Sequence, residues 1–213
     1  MSRPASAPVQ GQRADPAHFE ALHSASADPW GVHPHWYERR KRSLLLAALP
    51  REHYGLAFEP GCSVGGNTLA LAARCSQLVA ADASAAATAR ARSAVAGLPQ
   101  VRVEQWRFPD RWPSRNCDLV VVSELAYYLS ERDFARFLLQ APAHLMHGGH
   151  LLLCHWRAPI ADAFRSGDSA HEAALAGLPL AHVGAWRDQD MRVDVWQNGA
   201  APSVAAALQD GAP

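Results

Sequence analysis

An α/β fold is predicted for this 213-residue chain: a doubly wound, seven-stranded sheet, mostly parallel and closed by a C-terminal antiparallel hairpin. Three observations predict it. Short apolar runs alternate with helical stretches from residue 55 onward, the order of a sheet whose crossovers are helices. Two of these runs, Leu119-Val120-Val121-Val122 and Leu151-Leu152-Leu153, show no polar alternation, as strands covered on both faces require. The segment Phe58-Glu59-Pro60-Gly61-Cys62-Ser63-Val64-Gly65-Gly66-Asn67-Thr68-Leu69 ends an apolar strand in an acidic residue and then a glycine-bearing turn that opens an Ala/Leu helix.

In chain order, residues 1–14 are rich in Pro, Ser, Gln and Ala and are expected to be disordered. Residues 15–50 are expected to carry two helices, near 16–23 and 37–49, and residues 51–197 the main domain. Residues 198–213 read as a flexible tail. Strands are expected at 55–59, 78–82, 100–105, 118–123 and 150–155. The stretch 131–147 places Phe134, Phe137, Leu138, Ala141 and Leu145 at helical spacings, with Gly148-Gly149 as its stop. The runs 180–186 and 191–196 flank Arg187-Asp188-Gln189-Asp190 and read as the closing hairpin.

Composition narrows the class. The hydrophobic content of 49% supports one buried core, and 20 basic residues balance 20 acidic ones, so no net field concentrates nucleic acid or an anionic membrane. The run Arg39-Arg40-Lys41-Arg42 is expected to be a solvated helix face. Cysteines 62, 75, 117 and 154 lack metal-site or disulfide spacing and are expected to be reduced and buried, with no metal bound. No apolar run approaches the roughly 18 residues of a membrane span, and no signal-peptide order is present, so a cytoplasmic location is the default.

The glycine turn lets backbone approach a ligand, and the helix behind it presents unpaired N–H groups and a positive dipole end. Gly61, Ser63 and Gly65 fall two apart, unlike a dinucleotide fingerprint, and Glu59 just ahead disfavours a pyrophosphate. The combination suits an adenosyl ligand bearing an ammonium as well as a carboxylate. Asp82 ends the next apolar run about 20 residues after Gly61, the spacing of a ribose-binding carboxylate. Asp82 and Ala83 also precede Ser84 at a helix start, so a capping role for Asp82 stands beside the ribose role.

These residues resemble the class I S-adenosylmethionine-dependent methyltransferases, and within them the group similar to the nodulation N-methyltransferase NodS. The phrases that carry the likeness are Asp28-Pro29-Trp30-Gly31, Trp36-Tyr37-Glu38-Arg39-Arg40-Lys41, Glu59-Pro60-Gly61-Cys62-Ser63-Val64-Gly65, Ser123-Glu124-Leu125-Ala126-Tyr127-Tyr128-Leu129, His155-Trp156-Arg157 and Gly167-Asp168-Ser169-Ala170-His171-Glu172. They span about residues 18–197. Asn67 departs from the apolar residue expected there. The resemblance implies a Rossmann-like fold, S-adenosylmethionine as cofactor and a small-molecule acceptor, with nitrogen as the favoured acceptor atom and an amino sugar as one candidate substrate.

Ligands in such sheets bind beyond the carboxyl ends of the strands, which selects the candidate residues. Trp106 is placed near the adenine. Ser123 and Glu124 end an apolar strand, where a charge needs water, a partner or a cation. Glu124 could hold a substrate ammonium, take its proton or stabilise the sulfonium side, or it could simply cap the loop before Tyr127 and Tyr128. His155 ends the fifth strand and is a candidate general base, with Trp156 and Arg157 beside it. Asp168 could orient His171 or cap its helix. Trp30, Trp36 and Tyr37 are candidate lid residues whose aromatic faces attract a cation, or they pack the leading helices onto the sheet. A nucleotide-dependent oxidoreductase and a binding module without catalysis remain as alternatives, and the oligomeric state is open.

Overall fold

The computed structural model describes residues 15–200 and 203–209; the disorder expected for residues 1–14 lies outside the described residues, as do residues 210–213. Two helices lead. In α1 (Pro16–Ala25) the Asp15 carboxylate accepts from the His18 amide, and proline occupies the first helical position, where its missing N–H costs nothing. After α2 (Trp36–Ala47) the alternation begins: β1 (Tyr54–Pro60), α3 (Gly66–Ala72), β2 (Cys75–Asp82), α4 (Ala85–Ala94), β3 (Val101–Gln105) and β4 (Cys117–Ser123). A 3-10 turn at Ala126–Tyr128 leads to α5 (Glu131–His144), β5 (Leu145–Trp156), α6 (Gly167–Gly177), β6 (Ala181–Arg187), β7 (Met191–Gln197) and α7 (Val204–Gln209).

The sheet order is β3-β2-β1-β4-β5-β7-β6. Strands β1 to β5 pair in parallel, and β7 runs antiparallel to both β5 and β6. The fold is the expected seven-stranded one. Crossovers leave β1 on one side and β4 on the other, so a crevice opens beyond their carboxyl ends.

Successive residues of each central strand serve opposite layers. Phe58, Val120, Val122, Leu151 and Leu153 pack with Phe134 and Phe137 of α5 and Ala170 of α6. Ala57, Leu119, Val121 and Leu152 pack with Leu45 of α2 and Leu71 of α3. The unbroken apolar runs are therefore read by both faces. All four cysteines are buried thiols outside any disulfide, as expected.

Strand β2 begins three residues earlier than expected, at Cys75, and two segments change their element type. Helix α5 stops at His144, and residues 145–149 belong to β5, where Leu145 pairs with Cys117 of β4. Leu145 satisfies a helical spacing from Ala141 and a buried strand position equally well; Pro142, which has no N–H to bond back, weakens the helix just before the switch. The expected flexible tail contains α7.

The leading helices lie across the carboxyl ends of the strands. The Ala86 amide donates to Glu20 Oε2 at 3.3 Å and Arg90 donates to the His23 carbonyl at 2.5 Å, fixing α1 on α4. His18 meets Asp162 at 3.0 Å, reaching the segment between β5 and α6.

Candidate active site

The turn after β1 takes its shape from three left-handed residues, Gly61 (φ 74°), Ser63 (φ 50°) and Gly65 (φ 88°). A Cβ on Gly65 would come within 3.3 Å of the Ala91 Cα, so only glycine lets α3 start this close to α4. Asp82 holds the turn from below. Its Oδ2 accepts from the Ser63 amide and its Oδ1 from the Ser84 amide, both at 2.9 Å. Each oxygen keeps a lone pair for a further donor. Burial pushes the Asp82 carboxyl above its ordinary range, against the pull of those amides. The N-cap of α4 is Ser84, whose hydroxyl accepts from the Ala87 amide. Asp82 is thereby left to the turn and the cleft.

Above the turn lies a cleft that opens to solvent. Its floor includes Gly61, Ser63, Asp82, Ala83 and Ser123, and its roof comes from residues ahead of the sheet: Phe19 and His23 of α1, Trp30 and Val32 of the connecting loop, and Glu38 and Lys41 of α2. Trp30 meets His23 edge to face at 5.0 Å, and Phe19 meets Tyr128 likewise at 4.9 Å. The Ser63 Oγ and the His23 Nδ1 are buried polar atoms with no hydrogen-bond partner among the described residues. Both belong to residues lining the cleft, and such atoms are costly unless something supplies the missing bond.

At the other end stands Glu124, in the left-handed region at φ 55°. A non-glycine residue there is strained, and strain of this kind gathers at functional sites. Its Oε1 accepts from Lys41 Nζ at 3.2 Å and from the Trp156 amide at 3.1 Å, while its Oε2 accepts from the Tyr127 hydroxyl. Lys41 also pairs with Glu38 at 2.7 Å. Only 2% of Lys41 is exposed. Desolvation would discharge a lone lysine, yet Glu124 and Glu38 outweigh it and hold the ammonium above the usual lysine range. Two carboxylates thus share one cation, and the cluster keeps a net negative charge facing the cleft.

Residues 57–149 match the family described as methyltransferase domain. A putative methyltransferase from Pseudomonas syringae aligns with a TM-score of 0.68 at 42% identity, over 76% of this chain and 99% of that one. The chain belongs to the methyltransferase family. Two solved structures share the fold at lower identity. NodS N-methyltransferase from Bradyrhizobium japonicum WM9, in complex with S-adenosyl-L-homocysteine, has a TM-score of 0.74 at 22% identity, over 86% of this chain and 98% of that one. DhpI in its SAH complex has a TM-score of 0.68 at 20% identity, over 87% and 96%. No curated protein sequence matches the chain. Family membership sets aside the oxidoreductase alternative. No helix among the described residues is long and apolar enough to cross a membrane.

The methyltransferase gathers Trp30, Gly61, Ser63, Asp82, Ala83, Ser123, Glu124 and Tyr128, all singled out in the sequence, around one cleft. Several expected residues stand elsewhere. Glu59 lies beneath the turn, 2% exposed, where it accepts from the Thr68 hydroxyl at 2.6 Å; burial raises its pKa to about 8. Trp106 is packed beside Phe58 and faces Arg111, and Phe108 takes the cleft position instead. Trp36 is 68% exposed, and Tyr37 lies under the Lys41 ammonium, 5.4 Å from ring centroid to Nζ, outside the lining.

The general-base reading of His155 is corrected. Its ring is fully buried, both nitrogens are engaged, and burial, with His171 and the Lys41 ammonium beside it, pushes its pKa well below the usual histidine value. His171 is oriented by Asp194 at 2.6 Å, whereas Asp168 grips Arg157 through both carboxylate oxygens. The cap of α6 is Ser166. Arg157 also donates to the Asp188 carbonyl, so this pair fastens the β6–β7 hairpin. Tyr127 is fully buried and Trp156 contributes its amide; both support Glu124 from behind. The solvated-face reading of Arg39-Arg40-Lys41-Arg42 fails at Lys41. His23, Phe19 and Glu38 escaped the sequence reading, because only tertiary packing brings them to the cleft.

Proposed function

We propose that this methyltransferase takes S-adenosylmethionine into the cleft and passes its methyl group to a nitrogen of a small amine, an amino sugar being one such acceptor. The observation that carries the reading is the Glu38–Lys41–Glu124 cluster, an excess of negative charge lining the same cleft as the glycine turn and Asp82. A cationic sulfonium and a protonated amine are both favoured there. The residues fit the cofactor: Asp82 keeps acceptor capacity for a pair of ribose hydroxyls, and the Ser63 Oγ and His23 Nδ1 lack partners that a polar ligand would supply. The SAH complexes of the NodS and DhpI structures, which share the fold, support the same choice.

When bound, the cofactor supplies a methyl carbon already activated by the positive sulfur. The chain's own task is alignment and exclusion of water. Phe19, Trp30 and Val32 close the cleft from above, which strengthens electrostatic interactions inside it. Glu124, held in one place by Lys41, Tyr127 and the Trp156 amide, accepts a hydrogen bond from the acceptor ammonium and takes its proton. With the nitrogen lone pair freed and the cofactor held by the Gly61–Gly65 turn and Asp82, the new N–C bond would form as the S–C bond breaks, giving SAH. Holding the reactants in near-attack contact provides much of the acceleration.

Purified protein incubated with methyl-labelled S-adenosylmethionine and a panel of amines, amino sugars, phenols and carboxylates tests this. Label transfer to amines, with SAH released in equal amount, is the expected result. Transfer confined to phenols or carboxylates would overturn the nitrogen assignment, and cofactor binding without transfer to any class would favour a binding module.

A further inference from the structure

Behind Glu124 runs a chain of buried polar groups that the proposed chemistry does not use. The Ala126 amide donates to His155 Nε2 at 3.0 Å, His155 Nδ1 lies 3.0 Å from His171 Nε2, and His171 Nδ1 lies 2.6 Å from Asp194 Oδ2. Exposure is 0% for His155, 0% for His171 and 1% for Asp194. Three elements supply the links, β5, α6 and β7. At the far end Asp194 also bonds Arg192 Nε and His182 Nε2, each at 2.7 Å, on the edge of the sheet.

The direction of every proton in this chain is fixed by its first link. A backbone amide can only donate, so His155 Nε2 carries the lone pair and Nδ1 carries the hydrogen. His171 Nε2 must then accept, which leaves its Nδ1 to donate to Asp194. No other pair of neutral tautomers leaves all three bonds made. Protonating either ring would place two donors face to face. Burial pushes both rings towards the neutral form, His155 further disfavoured as a cation by His171 and Lys41, and His171 by Arg192, against the opposing pull of Asp194 and Asp168.

We infer that His155, His171 and Asp194 are positioning residues: a hydrogen-bonded relay that pins the Ala126 amide and so holds Glu124 in its left-handed conformation facing the cleft. The turn concerned needs such a hold. Glu124 at φ 55° relaxes to a more populated region unless its neighbours over-determine it, and the chain on its carboxyl side is anchored through Ala126. Tyr127, whose ring meets His155 edge to face at 5.1 Å, carries the hydroxyl that bonds Glu124. The relay thus bears on Glu124 by two routes. The value of a fixed Glu124 rests on the acceptor role proposed above, but the relay itself is testable without an acceptor.

The test uses the full chain. Imidazole ¹⁵N spectra of the unaltered protein at neutral pH are expected to show His155 and His171 both neutral, with Nδ1 protonated and Nε2 bare. A ring protonated at Nε2 overturns the relay. Amide hydrogen exchange then compares variants. His171→Phe leaves the His155 N–H without an acceptor, and exchange at Ala126 and at the Trp156 amide, which bonds Glu124, is expected to rise roughly tenfold or more while the strand amides of β1 and β4 stay unchanged. Asp194→Asn is expected to retain slow exchange at Ala126. Its oxygen can face His171 and its NH₂ can face His182, whose half-exposed ring is able to switch tautomer. Asp194→Leu is expected to lose that protection. Acceleration spread evenly over the sheet, or an asparagine variant as damaged as the leucine one, would reduce these residues to ordinary core and end the proposal. SAH titration of the unaltered protein separates the two readings: a failure to bind would strike the proposed function and leave the relay standing.

Discussion

Replacing Asp82 by alanine strikes the cleft where its geometry is most constrained. Each carboxylate oxygen already accepts one amide, from Ser63 and from Ser84, and each retains one lone pair for a ligand hydroxyl. Hydrogen bonds to a charged group contribute about 1.5–3 kcal/mol each. At the lower end of that range, two such bonds put the loss of cofactor affinity near 3 kcal/mol, roughly 150-fold in Kd. The turn amides lose their acceptor as well, so the alanine variant also loosens the Gly61–Gly65 bend. Asparagine is expected to fall between alanine and the native residue, because its single carbonyl satisfies one of the two amides and its NH₂ confronts the other. The assay is calorimetric titration with SAH, paired with a thermal melt to establish that the variant is folded at the working temperature. A folded Asp82→Ala protein that binds within twofold of the unaltered one would refute the ribose assignment.

Other perturbations follow from the same arrangement. Lys41→Met leaves Glu38 and Glu124 facing each other without their shared cation and is expected to destabilise the fold by about 3 kcal/mol in urea unfolding, with Glu38→Gln added to it recovering part of the loss. Glu59, raised from 4.5 to about 8 by burial, binds its proton more tightly folded than unfolded, so its contribution is fully present below about pH 4.5 and is lost as pH rises through 8. Glu59→Gln in the ligand-free protein should therefore gain stability over the native chain progressively across that window; parallel pH curves would contradict it. The four buried thiols, all pushed above the usual cysteine range, should resist a thiol reagent at neutral pH and react in full once denatured. Deletion of residues 1–27 removes Phe19 and His23 from the roof and is expected to weaken SAH binding at least tenfold with the sheet intact; unchanged affinity would show that α1 is not a lid.

Much of the sheet was legible because strands buried on both faces leave continuous apolar runs, and because Gly61, Gly65 and Asp82 sit at local spacings that a βα unit dictates. The boundary near Leu145 was not, since one buried leucine fits a helix period and a strand period alike. Lys41 misled for a different reason. It lies within a run of four basic residues, and what draws it inward is Glu124, 83 residues away along the chain. His155 read as a candidate base and His171 as a partner of Asp168, and only the packing of α6 against the paired strands β5 and β7 joins both rings to Asp194. Contacts that depend on distant partners leave no local periodicity to find.

The central claim is that the cleft between the Gly61–Gly65 bend and the amino-terminal helices receives the adenosyl group shared by S-adenosylmethionine and SAH. Titrating the purified chain with SAH and separately with NAD tests it most directly. One saturable site for SAH and no comparable uptake of NAD is the expected result, whereas a properly folded protein that takes up no SAH would contradict it.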